Sequence, residues 1–115
     1  MTDRELLEKA AKAAGYKLKW GEKFIVGDDE VDCTDMPYVV SGEPDEADWY
    51  WSPLEDDGDA LRLAVKLKMS ITQFSFFCRA EVNGDDDFIE DHKGDVYAAT
   101  RRVIVRAAAA IGESL

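Results

Sequence analysis

No basic residue interrupts the chain between Lys23 and Arg62, while the stretch Asp28–Asp59 inside that interval carries thirteen carboxylates. That segment alone has a formal charge more negative than the −11 of the whole chain. An excess of this sign disfavours direct binding to duplex nucleic acid, which relies on Lys and Arg to neutralise phosphates, and it directs attention to basic protein partners. Other shortages exclude more. The two cysteines, Cys33 and Cys78, are far apart in sequence and give no disulfide framework, so a reducing compartment is expected. The single histidine, His92, lies beside Glu90 and Asp91 and reads as an exposed residue of a charged turn. Zinc held by Cys33, Cys78 and His92 would need three distant residues to converge and would still lack a fourth protein ligand.

No apolar run approaches the roughly 20 residues that span a bilayer, and no basic amino terminus leads into an apolar stretch, so a cytoplasmic protein without membrane contact is expected. No glycine-rich phosphate loop occurs, and no serine sits in a nucleophile motif. Neither Asp56-Asp57-Gly58-Asp59 nor Asp85-Asp86-Asp87 has the spacing of a calcium loop. No cofactor is therefore expected. The acid pairs Asp56 with Asp59 and Asp85 with Asp87 leave a divalent-metal reading open, against the commoner role of dense carboxylates as solvated surface.

What the chain does contain is enough for one domain: 115 residues, 46% of them hydrophobic and 34% charged. Thr2 and Glu5 form a capping-box pattern for a helix over Asp3–Ala14, stopped by Gly15, with Leu6, Leu7, Ala10, Ala11 and Ala14 as its apolar stripe. Tyr16–Val26 reads as a hairpin turning at Gly21-Glu22. Gly27–Ser52 reads as a long acidic loop or arm, with Met36 and Tyr38–Val40 as a short extended piece and Gly42–Asp48 exposed. Ser52 and Pro53 predict the start of a helix running to Lys68, with Leu61, Ala64, Val65 and Lys68 along one side and Leu54, Leu63 and Leu67 extending the apolar surface, so that much of the helix is expected to be buried. Ile71–Val82 is the most strand-like run, and an acidic turn follows. Asp95 predicts the cap of a last helix ending before Gly112, whose Ala107–Ala110 run lets another element approach closely. The order gives an α+β fold, a small mostly antiparallel sheet packed with three helices as a layered sandwich.

The segment Trp51–Leu67, followed by a late Ala-Thr-Arg-Arg helix ending in Ala110-Ile111-Gly112, resembles small proteins of tailed phages and prophages of the phage alpha-beta-alpha sandwich domain type, a family without an established biochemical role. Trp51, Pro53, Leu54, Asp59, Ala60 and Arg62 carry the resemblance, which is weak over Lys17–Asp48, and Ser52 stands where an Asn is common. The resemblance implies a phage-derived protein expressed inside a bacterium, with a layered α/β/α fold. It contributes no catalytic residue.

Two side-chain groups stand out as candidate sites. Trp49 and Tyr50 are candidate anchors for a partner, with Asp45, Glu46, Asp48, Glu55 and Asp56 as a steering rim. The competing reading packs Trp51 or Tyr50 into the core to fix the start of the following helix. Arg101, Arg102 and Arg106 form a basic patch that can bind the protein's own carboxylates, a sister subunit or an anion. Three functional classes follow. One is an acidic module binding a basic host or phage protein, acting as a host-factor or defence inhibitor. Another is a structural or oligomeric phage protein, for which a homodimer is the simplest form. The last is a metal-dependent enzyme using clustered carboxylates.

Overall fold

Helix α1, Asp3–Ala14, begins and ends at its local signals in the computed structural model, which describes residues 1–82 and 86–115. Thr2 Oγ1 accepts the Glu5 amide at 3.1 Å and its hydroxyl donates to Glu5 Oε1 at 3.3 Å. Gly15 closes the helix with φ at 75°, the left-handed conformation that glycine adopts without a Cβ clash. The stripe of Leu6, Leu7, Ala10, Ala11 and Ala14 is buried, and it packs mainly against the last helix.

The next forty residues differ from the expected hairpin and loop. Strand β1, Lys17–Trp20, pairs antiparallel with β4, Pro37–Val40, and not with the strand that follows it. Strand β2, Lys23–Val26, pairs instead with β3, Asp29–Asp32. The chain passes straight through Gly21-Glu22 and reverses at Gly27-Asp28, where Gly27 has φ at 64° in the first of two turn positions, as a two-residue hairpin of this kind requires. Gly21 has a different task. A Cβ there would collide with the Cys33 carbonyl oxygen, so glycine lets the two sides of the ribbon close, and its amide donates to Met36 O at 2.9 Å. Residues 17–40 therefore form one interrupted β-ribbon, nested as β1–β4 at its base and β2–β3 at its tip. The expected loop at 27–52 holds three strands, because β5, Trp49–Tyr50, adds to β4. Gly42–Asp48 is exposed and outside regular structure, as expected.

Helix α2 spans Asp57–Lys66 and starts later than Ser52-Pro53 suggested. Ser52 heads a separate turn, its carbonyl accepting the amides of Glu55 at 3.0 Å and Asp56 at 2.7 Å. Asp56 is the true cap and accepts the Asp59 amide at 2.8 Å. The later start rotates the buried face: Ala60, Leu63 and Ala64 point inward, whereas Leu61 and Val65 are 63% and 68% exposed.

The strand expected over 71–82 is two strands, β6 Ser70–Gln73 and β7 Phe77–Val82, paired antiparallel about a turn in which the Phe74 amide donates to Phe77 O at 2.8 Å. Phe76 is left exposed on that turn, while Phe74 and Phe77 stack at 4.6 Å. The acidic stretch beyond is not merely a turn, since Asp86–Asp91 forms β8 on the other side of β7. Asp85, a member of one expected acid pair, lies outside the described residues.

Asp95 caps α3, Val96–Glu113, through the Ala98 amide at 3.0 Å, and the helix continues one residue past Gly112. It is the centre of the molecule, packing on α1, α2, β7 and β8. Ala99, Val103, Val105, Ala107, Ala108 and Ala109 bury it on most sides, against Cys78, Ala80 and Val82 of β7 among others. At Gly112 the approach of α1 is closest, because a Cβ would meet the Lys9 carbonyl oxygen. The fold is α+β, with three helices and all strand pairs antiparallel, but its strands divide into three small sheets among the described residues: β1-β4-β5, β2-β3 and β6-β7-β8.

Candidate functional site

The basic patch on α3 resolves into internal pairs. Arg101 donates through Nη1 to Asp57 Oδ1 at 2.6 Å and through Nε to the Leu54 carbonyl at 2.9 Å, tying the turn before α2 to α3. Arg102 meets Asp3 at 2.9 Å, and Arg106 meets Glu90 at 2.6 Å and the Ile89 carbonyl at 2.8 Å. All three guanidinium groups thus join α3 to its neighbours.

The acidic segment behaves differently. Within it only Glu30, Asp56, Asp57 and Asp59 take part in ion pairs among the described residues, and the acids of the 42–48 loop face water. The loop has its own internal order: Ser41 donates its amide to Asp48 Oδ1 at 3.2 Å and its hydroxyl to Glu46 O at 2.7 Å. Asp45 and Glu46 remain free at its tip, while Asp48 closes the loop. Glu55 accepts the Ser52 hydroxyl at 3.3 Å and Asp56 caps α2, so those two members of the expected rim also organise the helix entrance.

Tyr16 explains the run of aromatics. Its ring meets Trp49 and Trp51 edge-on, each at 5.7 Å, and the Lys66 ammonium lies 4.4 Å over it. Trp51 is buried, the role the competing reading assigned it, whereas Trp49 and Tyr50 stay exposed and, being adjacent on β5, point to opposite sides of the sheet. Tyr50 opens onto a cleft of about 610 Å³ whose walls include Trp20, Asp35, Glu55, His92 and Arg102.

His92 is 9% exposed, contrary to its expected place on the surface. Its Nε2 lies 3.0 Å from Gln73 Oε1, Gln73 Nε2 donates to Thr100 Oγ1 at 2.6 Å, and that hydroxyl donates to Val96 O at 2.7 Å. Along this chain of donors Gln73 presents its carbonyl to the ring, and an amide oxygen can only accept, so His92 Nε2 is the donor in this contact. The sequence signal for a packed strand here was Phe88, four residues upstream, which packs against the core and is masked in the sequence by the surrounding acids.

Two carboxyl and thiol environments are distinctive. The Thr34 hydroxyl and amide donate to Asp32 at 2.6 and 3.0 Å and hold that carboxyl below its ordinary range. Burial pushes the Cys78 thiol up. Both cysteines are free, and among the described residues no group of three or more His, Cys, Asp or Glu side chains gathers to hold a metal ion. No helix among the described residues is long and apolar enough to cross a membrane. No protein family, curated protein or solved structure matches the chain.

Proposed function

We propose that this chain is a non-catalytic acidic protein-binding module that takes a basic surface of a host or phage protein inside a bacterium. The observation that carries the reading is the contrast between its two charged groups: the α3 arginines are engaged within the fold, while Asp45, Glu46 and most of the acidic segment form no ion pair among the described residues. Unpaired carboxylates on a chain of net charge −11 create a field that accelerates encounter with a basic partner and rejects an acidic one. Trp49 and Tyr50 beside the loop supply aromatic area of the kind that anchors protein interfaces. The phage origin rests on the resemblance carried by Trp51–Leu67 and the late helix, and inhibition of a host factor is the role such an accessory module would fill.

The test is capture of partners by the tagged chain in a bacterial host through a moderate-salt wash, identified by mass spectrometry. A stoichiometric partner lost from a variant carrying Asp45→Lys and Glu46→Lys, which leaves the Ser41–Asp48 closure of the loop in place, supports the reading when the fold is retained. Recovery of the chain alone, or of a partner indifferent to those changes, contradicts it.

A further inference from the structure

The tip of the β-ribbon is the part of the molecule least supported by the rest. Strands β2 and β3 pack on each other, and neither shares more than marginal contact with another helix or strand. The molecule is correspondingly long, 49 × 33 × 24 Å, with a radius of gyration of 15.5 Å where a compact chain of this length has about 13 Å. A two-stranded hairpin in water is marginal alone, yet this one carries Phe24, Ile25 and Val26 at 49%, 76% and 57% exposure. The register places Phe24 opposite Val31 and Val26 opposite Asp29 on one face, so Phe24, Val26 and Val31 form a continuous apolar strip. Ile25 lies on the other face, opposite Glu30, which pairs with Lys23 at 3.8 Å.

We infer that this hairpin is a docking arm for an extended segment of a partner protein in which apolar residues alternate with Lys or Arg. The inference rests on the acidic-binder reading and assigns it a contact surface outside the 45–56 region. Three observations select this occupant. Both outer strand edges are unpaired in the two-stranded sheet, so either can add a third strand through backbone hydrogen bonds. The apolar strip has Asp29 on its own face and Asp28 at the turn beyond it, neither with an ion pair among the described residues, while Asp32 lies on the opposite face across from Lys23, the one base on the ribbon tip. That charge complements a basic strand and opposes a second copy of this chain, which would bring the same acids into contact. The arm is also held in position at its base: Gly21 abuts Cys33, the Cys33 amide donates to Glu22 O at 3.2 Å, and Thr34 is bonded to Asp32. An arm already ordered lowers the ordering cost of binding.

The test uses the full chain, isotopically labelled for NMR, and two synthetic peptides: one alternating Lys and Val, one alternating Glu and Val. The Lys–Val peptide is expected to shift amides within 23–32 and the Glu–Val peptide to leave them in place. A Phe24→Thr, Val26→Thr variant, which keeps strand propensity, is expected to bind at least tenfold more weakly with an unchanged thermal midpoint. Equal response to both peptides, or shifts that leave 23–32 unmoved, overturns the inference. So does a concentration-dependent dimer in sedimentation that the same variant abolishes, because a second copy would then cover the strip. A captured partner that survives the threonine changes but not Asp45→Lys with Glu46→Lys overturns the arm alone and leaves the acidic-binder reading standing.

Discussion

Asp59 Oδ2 accepts the backbone amide of Ser52 at 2.9 Å, a buried bond that fastens the end of the Trp49–Trp51 segment to the first turn of α2. The other oxygen of the same carboxylate takes Arg62 at 2.8 Å. Removing this acceptor leaves a buried amide without a partner, so Asp59→Ala is expected to lower unfolding free energy by about 1–3 kcal/mol, measured by urea denaturation. Asp59→Asn, which can still accept from Ser52, is expected to recover part of that loss.

The observed rotation of α2 separates two leucines that are two positions apart. Leu63 is fully buried, and Leu63→Ala is expected to cost about 2–5 kcal/mol. Leu61→Lys, on the exposed side, is expected to change stability by no more than about 0.5 kcal/mol. Comparable losses from the two variants would restore the face with Leu61 inward.

Gly112 marks the closest passage of α3 past α1. Gly112→Ala forces a methyl group against the Lys9 backbone, and destabilisation of about 1–3 kcal/mol is expected from the displaced helix. A thermal midpoint equal to that of the parent chain would show that the helices do not pass this closely.

Burial of Cys78 gives a pH dependence with a definite sign. Below the ordinary thiol value of 9.0, folded and unfolded chains both keep the proton, and this group leaves stability unchanged. Above it the unfolded chain ionises first, so stability falls with rising pH until the folded thiol ionises as well. Cys78→Ala is expected to flatten that alkaline slope, read from denaturation midpoints above pH 9.0. A thiol reagent at neutral pH is expected to label the partly exposed Cys33 well before Cys78.

The helices were legible where their signals are local. Thr2, Gly15 and Asp95 act within three or four residues of themselves, and each does in the fold what its position implies. Ser52 and Asp56 show the limit of that reasoning, since both are sound caps and only the fold gives a turn to one and the helix to the other. Strand pairing is less local still. Gly21-Glu22 and Gly27-Asp28 are both acceptable turns, and the choice between them depends on Cys33 and Met36 reaching back across the ribbon. Strand β8 escaped notice because Asp86, Asp87, Glu90 and Asp91 outweigh Phe88 and Ile89 in any reading by composition. The acidic excess was plain in the sequence, but which acids serve the fold was not: Asp48, Glu55 and Asp56 look no different from Asp45 and Glu46 until their hydrogen-bond donors are placed.

Hydrogen–deuterium exchange on a captured complex, compared with the free chain, tests the binding account most directly. Slowed exchange over 23–32 and 41–50 is the predicted result, with little change in the apolar groove between α2 and α3, which is lined by Leu61, Ala64, Ile71, Tyr97 and Ile104. Protection centred on that groove, with the acidic ribbon and loop exchanging as fast as in the free protein, would contradict it.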